Sequence, residues 1–339
     1  MAEHPVPLSK QSWSADSTPY VSICCTTYNH EKYIRDCLES FLMQETTFPV
    51  EILIHDDAST DATAEIVKAY QAKYPLVIKP ICQDENQYSK GVKPNVAFNY
   101  PRACGKYIAV CEGDDFWTDP RKLETQVAFL EGNPGYVLCY HDARIIDENG
   151  SLVSESKLPD KCKTDFSAEE LQKGAWTLTL TRCFRNVIKE FPPEIGNVKN
   201  VDIFLTALLG EHGGGKYMPQ ISPAVYRAQS GSIWSSLKPQ TQIQENLNTF
   251  LYLYLYHTRQ KRTELAVQIL FEQAFPFFAD FRPETNPYRE KIETFAKREQ
   301  RAWNAHDIME NSPEYKLGRI MLRPFRFLKS LLNGKPGNP

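Results

Sequence analysis

The stretch CEGDDFWTDPRKL (residues 111–123) places Glu112, Asp114 and Asp115 within four positions, directly behind the apolar run YIAV. Crowded carboxylates repel one another and lose hydration when buried, so such a group needs a cation, a proton or several hydrogen-bond donors. An acid/base pair requires two groups, not three. Helix capping explains Asp119, which stands before Pro120 and an apolar-periodic segment, but leaves the other three unexplained. Hard oxygen ligands around Mg²⁺ or Mn²⁺ account for the cluster, and such ions usually also hold substrate phosphates. Spacing alone leaves a second reading open, in which the acids accept backbone hydrogen bonds within a loop.

Strand-end acids need elements to hold them. YVSICCT (20–26), VEILIHDD (50–57), VIKPIC (77–82) and KYIAVC (106–111) are short apolar runs that read as strands. Between them lie helical patterns near 31–43, 61–74 and 94–104, with another after TDP. This alternation predicts an α/β protein: a mostly parallel sheet covered on both faces by helices. Ligands in such sheets bind beyond the carboxyl ends of the strands. Three polar groups should therefore meet at one edge: Thr26 to Asn29, then Asp56 and Asp57, then Glu112, Asp114 and Asp115. YVLCYHD (136–142) reads as a further strand and 150–166 as polar loop. Residues 199–210 read as a helix, 217–227 as extended chain, and the sequence is helical from about 240.

Composition narrows the classes. The chain has 339 residues, 42% apolar and 24% charged, with a net charge of −3. That is a globular balance without a general nucleic-acid surface, so no nucleic-acid partner is expected. The nine cysteines include no CxxC pair, which argues against a zinc or redox motif and for reduced, buried thiols in a cytoplasmic setting. GxxxxGK[ST] and GxGxxG are both absent. If a nucleotide binds, a metal ion must hold its phosphates. Residues 1–19 are polar and show no signal-type apolar stretch, and no run approaches the roughly 20 apolar residues of a membrane span. Residues 312–339 hold six basic residues and one acid, with Lys316, Arg319, Arg323 and Arg326 at helical spacing among apolar residues. The pattern fits a basic amphipathic segment on a membrane surface, and equally a packed helix with a solvated basic face.

Three blocks taken together resemble a family-2 glycosyltransferase of the GT-A (Rossmann-like) fold: VSICCTTYNHEKYIRDCLESFLMQ, VEILIHDDASTDAT and GKYIAVCEGDDFWTDPRKLETQVAFLE. NVDIFLTALLGEHGG and VYRAQSGSIWS extend the likeness toward bacterial enzymes that build surface polysaccharides. The resemblance implies a catalytic domain over 20–235, after a polar lead (1–19) and before a helical region (236–339). It implies that Thr27, Tyr28 and Asn29 line the nucleoside pocket and that Asp56 and Asp57 bind uracil or ribose. Glu112 and Asp114 would form a DxD-like motif with Asp115 following it, and Arg227 would contact the diphosphate. Asp202 would be the base that takes the acceptor proton; without the resemblance it reads as an acid in a helix's first turn. Gln229 stands where related enzymes often have His, and can offer a carbonyl oxygen but no imidazole.

The implied reaction is sugar transfer from a nucleoside-diphosphate donor, UDP-sugar favoured, with inversion. The acceptor would be a glycan or lipid-linked saccharide hydroxyl, with Mg²⁺ or Mn²⁺ at the diphosphate. The implied location is cytoplasmic, with the basic segment resting on the inner membrane's cytoplasmic face. Two alternatives stand beside it. A nucleotidyltransferase would show a Gly- and Lys-bearing phosphate loop, and TTYNH has neither residue. A non-catalytic sugar-nucleotide or glycan-binding scaffold would tolerate loss of the acids, which are all present. Trp117 and Trp234 are weaker candidates for sugar stacking, and Lys90 and Lys93 for phosphate contact.

Overall fold

The computed structural model describes residues 4–274, apart from 12, 15, 230–233 and 235. Met1–Ala274 fall in one compact unit. The basic segment at 312–339 lies outside the described residues.

In chain order the elements that position the site are β1 (Val21–Thr27), α1 (Ile34–Leu42), β2 (Val50–Asp56), α2 (Thr63–Lys73), β3 (Ile78–Cys82), β4 (Tyr107–Val110), α3 (Lys122–Gly132), β5 (Tyr136–Tyr140), β6 (Ala143–Ile146), β7 (Leu152–Ser154), β8 (Cys183–Arg185), α4 (Val201–Leu209), β9 (Gly214–Tyr217) and β10 (Ala224–Arg227). α5 (Pro239–Arg259) and α6 (Thr263–Gln268) follow and pack onto this unit through α4 and the turn Pro193–Asn197.

Seven strands form the central sheet in the order β9-β5-β8-β4-β1-β2-β3. All run parallel except β8, which enters antiparallel between β4 and β5. The expected mostly parallel α/β sheet is thus observed. β1, β2 and β4 are buried along nearly their whole length. Burial on both faces is why they read as unbroken apolar runs rather than alternating ones. α1 shows the complementary pattern, with Ile34, Cys37, Leu38, Phe41 and Leu42 buried against the sheet.

Some local expectations shift. β8 is only three residues long and escaped the sequence reading. β7 and a turn of helix at Asp160–Cys162 interrupt the polar loop of 150–166. β7 pairs with β6, and β6 with β10, in a small second sheet. The helix near 94–104 is a π-helical Asn95–Asn99 leading into Tyr100–Arg102. Asp119 does not cap α3. Its carboxylate accepts from Arg121 N and Ser222 N instead, and the helix starts at Lys122. All nine cysteines are free, and seven of them are buried.

Candidate functional site

The carboxyl ends of β1 and β2 are laced together. Asp57 N donates to Thr27 O (2.9 Å), and Asn29 N donates to Ser59 Oγ (2.9 Å) while Asn29 Oδ1 accepts from Thr60 N (2.8 Å). Asn29 sits at φ +55°, a left-handed conformation that Asn tolerates better than most residues. Glu31 N donates to Asp61 Oδ2 and Ala62 N to Glu31 Oε2, both at 3.0 Å, across the two loops. Tyr28 is left 44% exposed at the rim, its ring open to a ligand.

Asp56 and Asp57 reach this edge as expected, and both are buried. Their carboxylates are already engaged. Asp56 accepts from Ser59 N (3.2 Å) and Ser59 Oγ (2.5 Å). Asp57 accepts from Gln87 N (2.8 Å) and Tyr88 N (3.0 Å), which pins the loop after β3 beside the edge. Ala58, at φ +62°, turns the chain between them and the helix. Each carboxylate oxygen has two lone pairs, so room for a ligand remains. Their first task is to build the loops.

The acid cluster is built from the other side. Gly113 N donates to Thr26 O (2.9 Å), and a Cβ at Gly113 would stand 2.7 Å from Thr27 Oγ1. Only glycine permits that approach. Phe116 and Val225 then pair as an isolated antiparallel bridge, drawing β10 alongside. Arg227 N donates to Asp115 Oδ1 (2.9 Å), Arg227 Nε to Asp114 O (3.2 Å), and Gln229 Nε2 to Asp114 Oδ2 (2.7 Å). The guanidinium of Arg227 pairs with Asp36 (3.1 Å) above the Tyr33 ring. Arg227 therefore meets the cluster through main chain and carbonyl, and no carboxylate of the cluster receives its charge.

The cluster's negative charge is only partly offset, by Arg182 near Glu112 and by Lys157 and the Arg227 N–H at Asp115. Burial, with Asp114 and Asp202 adding repulsion, raises the Glu112 carboxyl to about 7. Asp115 is likewise pushed well above its ordinary range, by burial first and then by Asp114 and Glu112. A divalent cation fits such a site electrostatically. The oxygen donor here is the Asp114 carboxylate, which would leave positions open for phosphate oxygens; the Gln229 amide meets it through its N–H, and Asp115 is turned toward β10. Among the described residues, no three His, Cys, Asp or Glu side chains form a ready cage. A cation here would need substrate oxygens to complete its shell, as Mg²⁺ usually does.

Asp202 lies in the first turn of α4. Its carbonyl accepts from Arg182 Nη1 (3.1 Å) and Thr206 Oγ1 (2.8 Å), which fixes that turn. Its carboxylate makes no hydrogen bond among the described residues. It lies near enough to Glu112 to add to that group's upward shift. All three strand-end clusters and Asp202 thus gather at one end of the sheet.

Residues 22–190 match the model of glycosyl transferase family 2. The chain belongs to that family. An uncharacterized protein of Mycobacterium tuberculosis (strain ATCC 25618 / H37Rv) is 38% identical over 216 residues, covering 64% of this chain and 61% of that protein. The chondroitin synthase of Escherichia coli is 34% identical over 218 residues, 62% of this chain and 29% of the synthase. This chain therefore matches about three fifths of the length of its mycobacterial relative and less of the synthase. The crystal structure of S. aureus TarS 1-349 in complex with UDP-GlcNAc shares the fold, with a TM-score of 0.54 at 18% identity over 80% of this chain and 79% of that one. The fold is GT-A.

Within this family-2 domain, other candidates resolve differently. Trp117 is a core residue: its indole is 2% exposed, donates to Leu180 O (2.6 Å) and packs on Phe41, with the Lys122 ammonium 4.0 Å from the ring centroid. Lys90 pairs with Glu85, and Lys93 lies by the Tyr88 ring. Two residues escaped the sequence reading. Arg182 is fully buried, hydrogen-bonded to Thr177 and to the Asp202 carbonyl; a lone cation inside TLTLTRCF was the available signal. His30 faces Asp114, with Nε2 3.9 Å from Oδ2. Its position directly after the Tyr28–Asn29 pair was the only hint.

Proposed function

We propose that this chain is an inverting glycosyltransferase that moves a sugar from a nucleoside-diphosphate donor, UDP-sugar first among candidates, to a hydroxyl of a glycan or lipid-linked saccharide. The observation that carries the reading is the partly offset acid cluster at the strand ends, with Asp202 beside it and the exposed Tyr28 ring at the same edge. An anionic diphosphate could not approach those carboxylates without a cation, and a divalent ion bound there supplies Lewis-acid stabilisation of the departing diphosphate. Asp114 would hold it, joined by the Gln229 carbonyl oxygen once that amide turns from the N–H contact it makes to Asp114.

The chain's own residues then have distinct roles. Thr27, Tyr28 and Asn29, with Asp56 and Asp57 behind them, form the nucleoside edge and orient the donor. Asp115 accepts from the Arg227 N–H and so holds the acid loop against β10. Asp202 takes the proton of the acceptor hydroxyl as it attacks, since an alcohol is a poor nucleophile until a base accepts its proton. Direct displacement of this kind inverts the anomeric carbon. The relationship to a chondroitin synthase supports a saccharide acceptor, by analogy alone. Among the described residues, no helix is long and apolar enough to cross a membrane. Contact with a membrane surface through 312–339 remains part of the proposal.

The direct test is thermal stability with UDP, GDP and CDP, each with and without Mn²⁺ or Mg²⁺. A ligand at ~100 times its dissociation constant adds ~2.7 kcal/mol of stability. Stabilisation that requires one nucleotide together with a divalent ion supports the reading, and none with any pair removes it. Asp202→Asn should keep that stabilisation yet lower turnover of the matching nucleotide sugar by ~10²–10⁴-fold. Unchanged turnover would take the base role from Asp202.

A further inference from the structure

His30 has an arrangement that the fold alone does not explain. Its main chain is fixed: His30 N donates to Thr63 Oγ1 (2.8 Å), and His30 O accepts from Tyr33 N and Ile34 N as α1 begins. The imidazole is thereby placed under Asp114 before any ligand arrives. Nδ1 is buried without a hydrogen-bond partner, and so is the hydroxyl of Thr27, a residue only 3% exposed. The two orphan atoms flank the spot where a Gly113 side chain would stand, 3.1 Å from His30 Nδ1 and 2.7 Å from Thr27 Oγ1. Buried polar atoms are rarely left unpaired, and those that are call for an explanation such as an absent ion.

The outer face of the ring carries a second observation. Nε2 stands 3.9 Å from Asp114 Oδ2, the same oxygen that the Gln229 amide approaches at 2.7 Å. A gap of 3.9 Å is too long for a hydrogen bond. It falls between the ~3.0 Å and ~4.2 Å that separate donors ~2.1 Å from one metal at right angles and when opposed, so a small movement of either side chain would let both reach one ion. We propose that His30 is an imidazole ligand of the cation site, joining the Asp114 carboxylate and leaving the remaining positions to the donor's diphosphate and to the Gln229 carbonyl oxygen once that amide turns. The imidazole that the β10 side lacks, with Gln229 there, enters from the β1 side instead. A nitrogen donor also tilts the site toward Mn²⁺ or Co²⁺ over Mg²⁺.

This inference rests on the donor-site reading, and the test separates the two. Mn²⁺ and Mg²⁺ would be titrated against wild type, His30→Gln and His30→Ala at fixed UDP by calorimetry, with Co²⁺ absorption spectra on the same samples. Ligand-free melting would establish that each variant folds, and the Gln form serves if Ala does not. In both variants we expect Mn²⁺ affinity to fall at least ~10-fold, with a smaller loss for Mg²⁺ and an altered Co²⁺ band. Mn²⁺ affinity within twofold of wild type and an unchanged Co²⁺ spectrum would overturn the ligand role. So would intact Mn²⁺ affinity with weaker metal-free UDP binding, which would assign His30 to the diphosphate. Failure of wild type itself to bind UDP with any divalent ion would overturn the donor-site reading instead.

Discussion

Two pairs of neighbouring acids stand at the same sheet edge and live in opposite circumstances. At the end of β2, Asp56 and Asp57 are buried, yet each carboxylate accepts two hydrogen bonds from its surroundings. At the end of β4, Glu112 and Asp115 are also desolvated, and burial and the repulsion of Asp114 outweigh the Arg182 and Lys157 charges and the Arg227 N–H set against them. Hydrogen bonds to an ionised carboxylate favour its charge, whereas burial beside like charges opposes it. The first pair is finished structure. The second is a site whose charge is answered only when something else binds, and that difference separates residues that build the pocket from residues that use it.

Alanine at one acid of each strand end should separate these roles. The largest effect is expected at Asp114→Ala, which should abolish the ~2.7 kcal/mol that saturating UDP and Mn²⁺ add while leaving ligand-free stability near wild type. Asp57→Ala should do the reverse. It strands the N–H groups of Gln87 and Tyr88, and should lower ligand-free stability by ~2 kcal/mol. The comparison breaks if melting of the metal-free proteins shows Asp114→Ala as damaging as Asp57→Ala, because the β4 acids would then be structural too.

The sequence showed where these acids lie but not which kind each is. The order of strands and helices was legible because β1, β2 and β4 are buried on both faces and α1 is one-sided, and both patterns survive in residue types alone. DD after β2 and GDD after β4 look alike in one dimension. What distinguishes them is the partner set: Gln87 and Tyr88 from a loop 30 residues on, against Arg227 at the end of β10 and Gln229 just after it, over a hundred residues away. The same distance hid β8, three residues whose strand character comes from pairing with β4 and β5. It also hid His30, whose significance depends on Asp114 folding down above it. Trp117 failed as a sugar platform for a similar reason, since an aromatic beside a catalytic motif in sequence can point into the core.

The smallest predicted effect tests the electrostatics without any ligand. Glu112 is raised to about 7, by burial and then by Asp114, while an unfolded glutamate releases its proton near 4.5. Between those values the folded protein holds a proton that the unfolded chain has lost. Stability from this group is therefore complete below pH ~4.5 and is lost as pH rises through 7. Asp115, shifted in the same direction, adds to the slope. Glu112→Gln keeps the shape and removes the charge. Metal-free Glu112→Gln should thus be ~1–2 kcal/mol more stable than wild type at pH 8, and equal to it near pH 4.5, in urea unfolding with chelator present. Because a divalent cation relieves the same repulsion, adding Mn²⁺ at pH 8 should narrow the gap by stabilising wild type more. A pH slope identical in the two proteins would mean that the Glu112 carboxylate is answered by a partner after all, and the contrast between the two acid pairs would rest on Asp114 and Asp115 alone.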